Sequence, residues 1–219
     1  MTGPLTLVID ASTSVGSVAL VRGTEVLGEQ QTPMGRSRDE RLLPAVAELL
    51  AVAAVPIDEL EGVVCGGGPG GFTGLRMGAS IAKGICLARG LPLASVSSLA
   101  LIVASVDLPP GRYVALLDAL RGDVFAAVFE TSAGRVEPLA PSRLAARAEA
   151  NALAAQLGAR LIGPDEELAA APRAAGVARL TTGGAAPVVV SLDSWEPDYG
   201  RMAEAQARWE KAHGRPLHA

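Results

Sequence analysis

The sequence predicts an α/β protein built from two similar halves, because three features occur together. Short apolar runs typical of buried strands alternate with segments of helical periodicity. Each half contains a strand that ends in Asp-Ala, then a tight turn and an apolar return strand, at Asp10-Ala11 and again at Asp118-Ala119. Pro109-Pro110-Gly111 breaks the chain between them. We therefore predict two subdomains that face each other across a cleft, at 1–108 and 109–200, and a C-terminal helix and tail at 201–219 that packs on the first.

The opening of the chain predicts a three-stranded antiparallel meander. Leu5–Asp10 is an apolar run that ends on a carboxylate. Ser17–Arg22 and Glu25–Gln31 continue as two further strands, with Gly23 at the turn between them. The polar residues Ser12-Thr13-Ser14 form the first turn.

Two helices and a glycine-rich loop follow in the first half. Ser37-Arg38-Asp39-Glu40 fits a capping box that opens the first helix, and Pro44 is tolerable in its first turn. A second helix begins after the loop Gly66–Gly71 and ends at Gly90. The elements predicted up to the break are a helix over 42–53, a strand at Val63–Cys65, a helix at Phe72–Arg89, a strand at Leu93–Val96, and a helix that Ser97 or Ser98 caps and that runs to Val106.

The second half repeats the strand pair and then becomes harder to interpret. A turn at Arg121-Gly122-Asp123 joins two apolar strands. The elements predicted here are strands at Tyr113–Ala119 and Val124–Glu130, an Ala-rich helix at Ser142–Leu157, a strand at Leu161-Ile162, a helix at Glu166–Ala175 interrupted by Pro172, a strand or extended connection at Val188–Val190, and a final amphipathic helix at Arg201–Ala212.

Composition excludes several classes of protein. The 219 residues are 49% hydrophobic with a mean hydropathy of +0.32, which is not typical of disordered chains. A net charge of −4 argues against an electrostatic nucleic-acid platform, because phosphate binding needs clustered Lys and Arg. Cys65 and Cys86 lie in apolar stretches, outside any CxxC pair, and are expected to be buried thiols. We see neither a signal peptide nor a membrane span, so a cytoplasmic protein is expected.

Two segments carry candidate chemistry, and each has a purely structural alternative. Asp10-Ala11-Ser12-Thr13 places a carboxylate and hydroxyls on a turn, an arrangement that can hold hydrated Mg²⁺ and receive phosphate oxygens. Alternatively, Asp10 only caps the turn. The loop Gly66–Gly71 lacks the Lys of a Walker loop. It could bind an anion at the start of the next helix, or it could be a crossing so tight that only Gly fits.

The string Gly68-Pro69-Gly70-Gly71-Phe72-Thr73-Gly74-Leu75-Arg76-Met77-Gly78 resembles the signature of the TsaB (YeaZ) family, with Gly71 for the usual Ser and Met77 for the usual Ile. Ile9–Thr13, Glu40–Pro44, Val96–Leu99, Asp118–Phe125 and Pro197–Tyr199 are similar to further family segments in the same order. The chain departs from the family at Arg38-Asp39, where many members carry His-Ser. The resemblance implies an actin-like ATPase (ASKHA, ribonuclease H-like) duplicated fold, with Asp10, Ser12, Thr13 and Asp118 as a vestigial nucleotide-type turn.

The resemblance also implies a role without catalysis. Members of this family assist TsaD, together with the ATPase TsaE, in making N6-threonylcarbamoyladenosine at position 37 of tRNA. It implies a homodimer when TsaD is absent, contact with tRNA only through the complex, and ATP or ADP and metal held by the partner subunits. Catalytic relatives bind metal through His-x-x-x-His, whereas the two histidines here, His213 and His218, are five apart in the tail.

Two apolar helices are the predicted docking surface. Both look more apolar than a single core-facing stripe requires, although full burial in a layered domain is an equal alternative from periodicity alone. Gly74, Gly78 and Ala82 recur every four residues, so another element could approach closely. The predicted interface residues are Leu42, Leu43, Val46, Leu50, Gly74, Arg76, Met77, Gly78 and Lys83, beside the signature-loop residues Gly68, Pro69, Gly70, Phe72, Thr73 and Gly74.

Two alternative functions remain open. The first is an ASKHA-type small-molecule kinase or ATPase that binds Mg-ATP through Asp10, Thr13 and Asp118. The second is a peptidase, although no G-x-S-x-G elbow is present and both histidines are remote from the rest of the motifs.

Overall fold

A computed structural model describes residues 3–34, 41–132, 134–200 and 213. Its strands are Leu5–Asp10 (β1), Val15–Arg22 (β2), Glu25–Pro33 (β3), Gly62–Gly66 (β4), Leu93–Val96 (β5), Gly111–Asp118 (β6), Asp123–Ser132 (β7), Arg135–Pro138 (β8), Arg143–Ala146 (β9), Arg160–Gly163 (β10), Leu168–Ala169 (β11) and Val188–Val190 (β12). Its α-helices are Leu42–Val52 (α1), Phe72–Arg89 (α2), Ser98–Ala104 (α3) and Arg147–Leu157 (α4), with short 3₁₀ helices at Ile57–Glu59 and Ala174–Arg179.

The described strands form two sheets with the same central arrangement. The first sheet has the order β12-β5-β4-β1-β2-β3, and the second has the order β11-β10-β6-β7-β8, with β9 also pairing with β7. In the first sheet β1 pairs antiparallel with β2 and parallel with β4. In the second sheet β6 pairs antiparallel with β7 and parallel with β10. This repetition confirms the predicted α/β fold with two similar halves.

The elements stack in five layers, which follow from the alternation of side chains along each strand. Leu7 and Ile9 of β1 pack under α1 and α2, whereas Val8 points to the opposite face, toward α3 and the Ala174–Arg179 helix. The same middle layer covers one face of the second sheet, and α4 covers its other face. The order is therefore α1 and α2, first sheet, α3 with the 3₁₀ helix, second sheet, α4.

Local signals fixed the bounds of several elements. The observed helix α2 has the predicted limits, because Gly90 ends it in the left-handed conformation with φ of +65°. Ser97, not Ser98, caps α3, since its side chain accepts a hydrogen bond from the amide of Ala100. That helix ends at Ala104, two residues before the predicted Val106.

Of two helices predicted in the second half, the first is observed only in its later part, Arg147–Leu157, and the second is wrong. The segment predicted as one helix from Ser142 contains strand β9, which pairs with β7, and α4 begins only at Arg147. The segment predicted as a helix from Glu166 contains the short strand β11 and then the 3₁₀ helix after Pro172. Strand β8 was not predicted at all. Strand β9 forms because its pairing with β7, about twenty residues earlier, overrides the local preference, whereas β8 and β11 pair with the strands just before them, β7 and β10.

The remaining differences concern the ends of the predicted units. Helix α1 begins at Leu42, after Arg41, and the predicted capping box lies outside the described residues. The predicted helix Arg201–Ala212 also lies outside them. Strand β12 pairs with β5, so Val188–Val190 belong to the first sheet although the predicted unit 109–200 includes them. No described helix is long and apolar enough to span a membrane.

Candidate functional site

The carboxylate of Asp10 is turned into the protein rather than toward the cleft. Only 1% of the surface of Asp10 is exposed. One carboxylate oxygen accepts hydrogen bonds from the amide of Ser12 at 3.1 Å and from its hydroxyl at 2.7 Å, and the other accepts one from the hydroxyl of Ser98 at 2.6 Å. Burial raises the pKa of Asp10 above its ordinary 3.8, while the hydrogen bonds from Ser98 and Ser12 act in the opposite sense. This geometry favours the capping role over the Mg²⁺-binding role.

The signature loop packs against its own chain. The amides of Gly67, Gly68 and Gly71 donate hydrogen bonds to the carbonyl of Val96, the hydroxyl of Ser98 and the carbonyl of Ser12, respectively. These three donors are therefore not available to an anion. Gly68-Pro69 is a cis peptide bond. A Cβ at Gly70 or Gly74 would collide with the backbone of Ser12 or Ala11. The tight-crossing interpretation therefore accounts for the loop.

A cleft of about 740 Å³ lies between the two halves. It brings together Ser12 and Thr13 of the first half with Asp118 of the second, as the sequence predicted, but not Asp10. Asp118 is exposed and accepts a hydrogen bond from the amide of Leu120 at 3.0 Å. Other predicted residues on the cleft wall are Phe72, Thr73, Gly74 and Met77. Hydroxyls and carboxylates of this kind can bind a polar ligand.

Sequence reasoning missed two charged residues of the cleft, Arg41 and Asp165. A signal existed for Asp165, because it follows the strand β10, and the carboxyl ends of parallel strands meet at one edge of a sheet. No group of three or more His, Cys, Asp or Glu residues suited to a metal ion occurs in the described part of the chain. His213 is exposed, and His218 lies outside the described residues.

Helix α1 presents its apolar residues mainly to the core. Leu42, Val46 and Leu50 are 0%, 2% and 9% exposed, so their assignment to the docking surface is wrong for this monomer. They pack with the strands of the first sheet beneath the helix. Leu43 is 49% exposed and is the predicted interface residue of α1 that faces outward.

Helix α2 has two faces lined by small residues. Gly74 and Gly78 face inward and approach Ala11 at the end of β1, so the stripe that was expected to admit another element admits a strand of the same chain. The outward face carries Arg76 together with Ser80, Gly84, Leu87 and Ala88. Met77 and Lys83 are half-buried at its borders.

A segment near residue 200 lies along α2 and was not predicted to do so. The rings of Tyr199 and Phe72 are 4.7 Å apart, and the guanidinium of Arg76 is 5.4 Å from the Phe72 ring. The ammonium of Lys83 is 5.9 Å from the ring of Trp195. Pro69 and Tyr199 also line a smaller pocket on the other side of the loop. The resemblance at Pro197–Tyr199 was the available signal.

Comparisons with known proteins agree on a family. The family model of TsaD, tRNA N6-adenosine threonylcarbamoyltransferase, matches residues 32–183. TsaB of Bacillus subtilis, a tRNA threonylcarbamoyladenosine biosynthesis protein, is 27% identical over 93% of this chain and 96% of its own length. TsaB of Escherichia coli is 34% identical over 57% of this chain, and that match spans 54% of the relative.

Solved structures show the same fold. A Pseudomonas aeruginosa protein described as similar to peptidase YEAZ matches with a TM-score of 0.73 at 22% identity, covering 92% of this chain and all of that one. The structure of YeaZ from Pseudomonas aeruginosa matches with a TM-score of 0.70 at 24% identity, covering 91% of this chain. The predicted actin-like duplicated fold is thereby confirmed. Since the family model spans more than half of the chain, this chain belongs to the TsaD family, and the relatives that it resembles within that family are named TsaB or YeaZ.

Proposed function

We propose that this chain acts in the biosynthesis of N6-threonylcarbamoyladenosine in tRNA, as a non-catalytic subunit that docks TsaD and works together with TsaE. The names of its relatives support the pathway. The inward orientation of Asp10 and the occupied amides of the signature loop support a role other than catalysis. In this proposal ATP or ADP and metal belong to the partner subunits, and tRNA is reached only through the complex. Without TsaD, the same surface joins two copies of the chain.

The docking surface is the outward face of α2, and Gly84 is the observation that carries this assignment. Glycine within a helix costs about 1 kcal/mol relative to alanine. At position 74 the fold of the monomer itself requires glycine, because Ala11 leaves no room for a Cβ. Among the described residues, nothing lies within 4 Å of where a Cβ of Gly84 would be. The monomer therefore does not require glycine at position 84, but a second chain that packs closely against the helix there would.

The surroundings of Gly84 fit the same proposal. Ser80 and Ala88, one turn before and after it, are exposed and small, so the helix backbone is accessible along about two turns. Leu87 is 77% exposed, which gives this face a large apolar side chain without a contact that would bury it. Small side chains let a second helix approach closely, and a contact there would remove the apolar surface of Leu87 from water.

A larger side chain at position 84 tests this proposal. Gly84→Gln places a good helix former where the monomer has free space, so the variant folds as stably as the wild type or better. At a close contact between helices the added atoms force the partner away, and we expect binding to TsaD to weaken at least about tenfold. Gly84→Ala is the matched control, with the same gain in helix propensity but little added bulk. Calorimetric titration with TsaD measures binding, and urea unfolding measures stability.

Two outcomes contradict the proposal. If Gly84→Gln binds TsaD as the wild type does, the outward face of α2 is not the docking surface. If the chain alone forms threonylcarbamoyladenosine on tRNA, with TsaD excluded by mass spectrometry, the non-catalytic role is refuted. With TsaD and TsaE added, the wild type is expected to support activity that Gly84→Gln loses at limiting concentration.

The cleft favours one alternative, an ATPase or small-molecule kinase. Thr13, Asp118 and Asp165 line a space large enough for a nucleotide. This alternative requires tight binding of Mg-ATP to the isolated chain, and loss of that binding in Asp118→Ala. If calorimetry detects no binding of Mg-ATP, the kinase or ATPase alternative is excluded. The peptidase alternative stays a prediction, and labelling by a broad nucleophile-directed probe is its test.

A further inference from the structure

The segment Trp195–Tyr199, here called the strap, runs beside α2 and is attached at both of its ends. At one end the ring of Trp195 packs against the core under α2 and lies 5.9 Å from the ammonium of Lys83. At the other end the ring of Tyr199 lies 4.7 Å from that of Phe72, in the first turn of the helix. The strap therefore follows α2 over about three turns, in the reverse direction.

The strap is also bonded to the signature loop. The amide of Asp198 donates a hydrogen bond to the carbonyl of Gly67 at 2.7 Å. The next residue, Gly68, has a φ of +88°, and a Cβ there would collide with the carbonyl oxygen of Asp198. A side chain at Gly68 would thus both strain the backbone and push the strap away. Loop and strap fit each other only with glycine at this position.

The strap packs on the outer side of the first turn of α2. The N-cap residue Gly71 makes no side-chain cap, and its amide donates instead to the carbonyl of Ser12, which holds the inner side of the turn. Phe72 in that turn is 41% exposed, and the exposed Arg76 lies over its ring. Tyr199 packs against the same ring of Phe72. Burial and the charge of Glu196 raise the pKa of Tyr199, and the charge of Arg76 acts in the opposite sense.

We propose that the strap is a positioning element, which holds Phe72 and Arg76 in the arrangement that a partner of α2 recognises. This proposal rests on the proposed docking function of α2 and adds a means by which affinity for the partner is controlled. The chain binds the partner tightly when the strap is packed against α2, and weakly when the strap is released. Tyr199 acts through Phe72 and is not itself the main contact. The aromatic pair is the connection between them.

The experiment measures binding of TsaD to variants of Tyr199. Tyr199→Ala removes the ring contact and is expected to weaken binding about tenfold, whereas Tyr199→Phe keeps the ring and stays within about twofold of the wild type. A double-mutant cycle with Phe72→Ala tests whether the effect of Tyr199 on binding passes through Phe72. If Tyr199 acts through Phe72, Tyr199→Ala has little further effect once Phe72 is removed. Should Tyr199→Ala fold poorly, Tyr199→Leu keeps apolar bulk without the aromatic pair.

Strap seating can be followed separately by fluorescence. The chain has two tryptophans, Trp195 and Trp209, so Trp209→Phe leaves Trp195 as the reporter. Release of the strap in Tyr199→Ala is expected to shift Trp195 emission toward that of an exposed indole, while the urea midpoint changes little. The same spectrum recorded for Tyr199→Phe should match that of the Trp209→Phe parent.

Three results overturn the strap proposal. They are wild-type affinity in Tyr199→Ala, additive losses in the cycle with Phe72→Ala, and a loss of affinity that tracks a fall in the urea midpoint and is not rescued by Tyr199→Phe. Gly84→Gln in the same assay separates this failure from that of the docking function. If it abolishes binding while Tyr199→Ala does not, the docking surface stands and only the strap proposal fails.

Discussion

Substituting glutamate at two positions of α1, three residues apart, tests which face of the helix is buried. Val46 is 2% exposed, and Leu43 is 49% exposed. Val46→Glu loses about 1.5–3 kcal/mol of apolar burial and must also bury a carboxyl group, so a loss of at least about 4 kcal/mol is expected. Leu43→Glu loses only part of its apolar contact, about 1 kcal/mol. Small domains have total stabilities of about 5–15 kcal/mol, so the first variant is close to unfolding and the second is not.

Urea unfolding followed by far-UV circular dichroism distinguishes the two. With a slope of about 2 kcal/mol per molar urea, Val46→Glu shifts the midpoint down by about 2 M and Leu43→Glu by about 0.5 M. Val46→Thr, which keeps the shape of the side chain, is the milder control at the buried position. A native midpoint for Val46→Glu, combined with loss of TsaD binding, would refute the reasoning. It would return Val46 to the docking surface that the sequence predicted.

Two further predictions concern buried carboxylates. Glu29 accepts hydrogen bonds from the hydroxyl of Ser17 at 3.0 Å and the amide of Ala175 at 3.1 Å, and it pairs with Arg173, so it joins the first sheet to the 3₁₀ helix. Glu29→Gln is expected to cost roughly 2 kcal/mol in urea unfolding, and Arg173→Ala less, because the guanidinium is half exposed. Burial raises the pKa of Asp10, so the folded chain keeps a proton that the unfolded chain has released, and stability falls as the pH rises from about 4 through the folded pKa. Asp10→Asn removes this contribution, and the difference between the two stability profiles against pH measures it; a difference that does not change with pH would mean that Asp10 titrates normally.

Much of the fold could be predicted because its signals are local. Helix α2 begins after a run of glycines and ends at a left-handed Gly90, both of which are visible within a few residues. The meander of β1 to β3 follows from apolar runs separated by short turns. Strand β9 could not be predicted in the same way. Its Ala-rich sequence favours helix, and only its pairing with β7, about twenty residues earlier, makes it a strand.

The candidate site was harder to predict because orientation depends on distant residues. The sequence places Asp10 at the end of a strand, but its direction is set by Ser98, which is 88 residues away. Helix α1 is apolar on several sides, so periodicity does not select between the side of Val46 and that of Leu43. Likewise, the stripe Gly74-Gly78 has the spacing of a contact surface, yet the spacing alone does not say that Ala11 of the same chain provides the contact.

Comparison of the two halves explains why the proposed function lies on a helix face rather than in the cleft. Asp10 and Asp118 occupy equivalent positions, and each accepts a hydrogen bond from the amide two residues later, at 3.1 and 3.0 Å. Their surroundings differ, because the loop after β4 closes over Asp10, whereas the loop after β10 leaves Asp118 exposed on the cleft wall. Closing that loop removes a carboxylate from the cleft and at the same time fixes the start of α2 against β1. If α2 is the docking helix, as proposed, the packed loop supplies the rigid base that it needs.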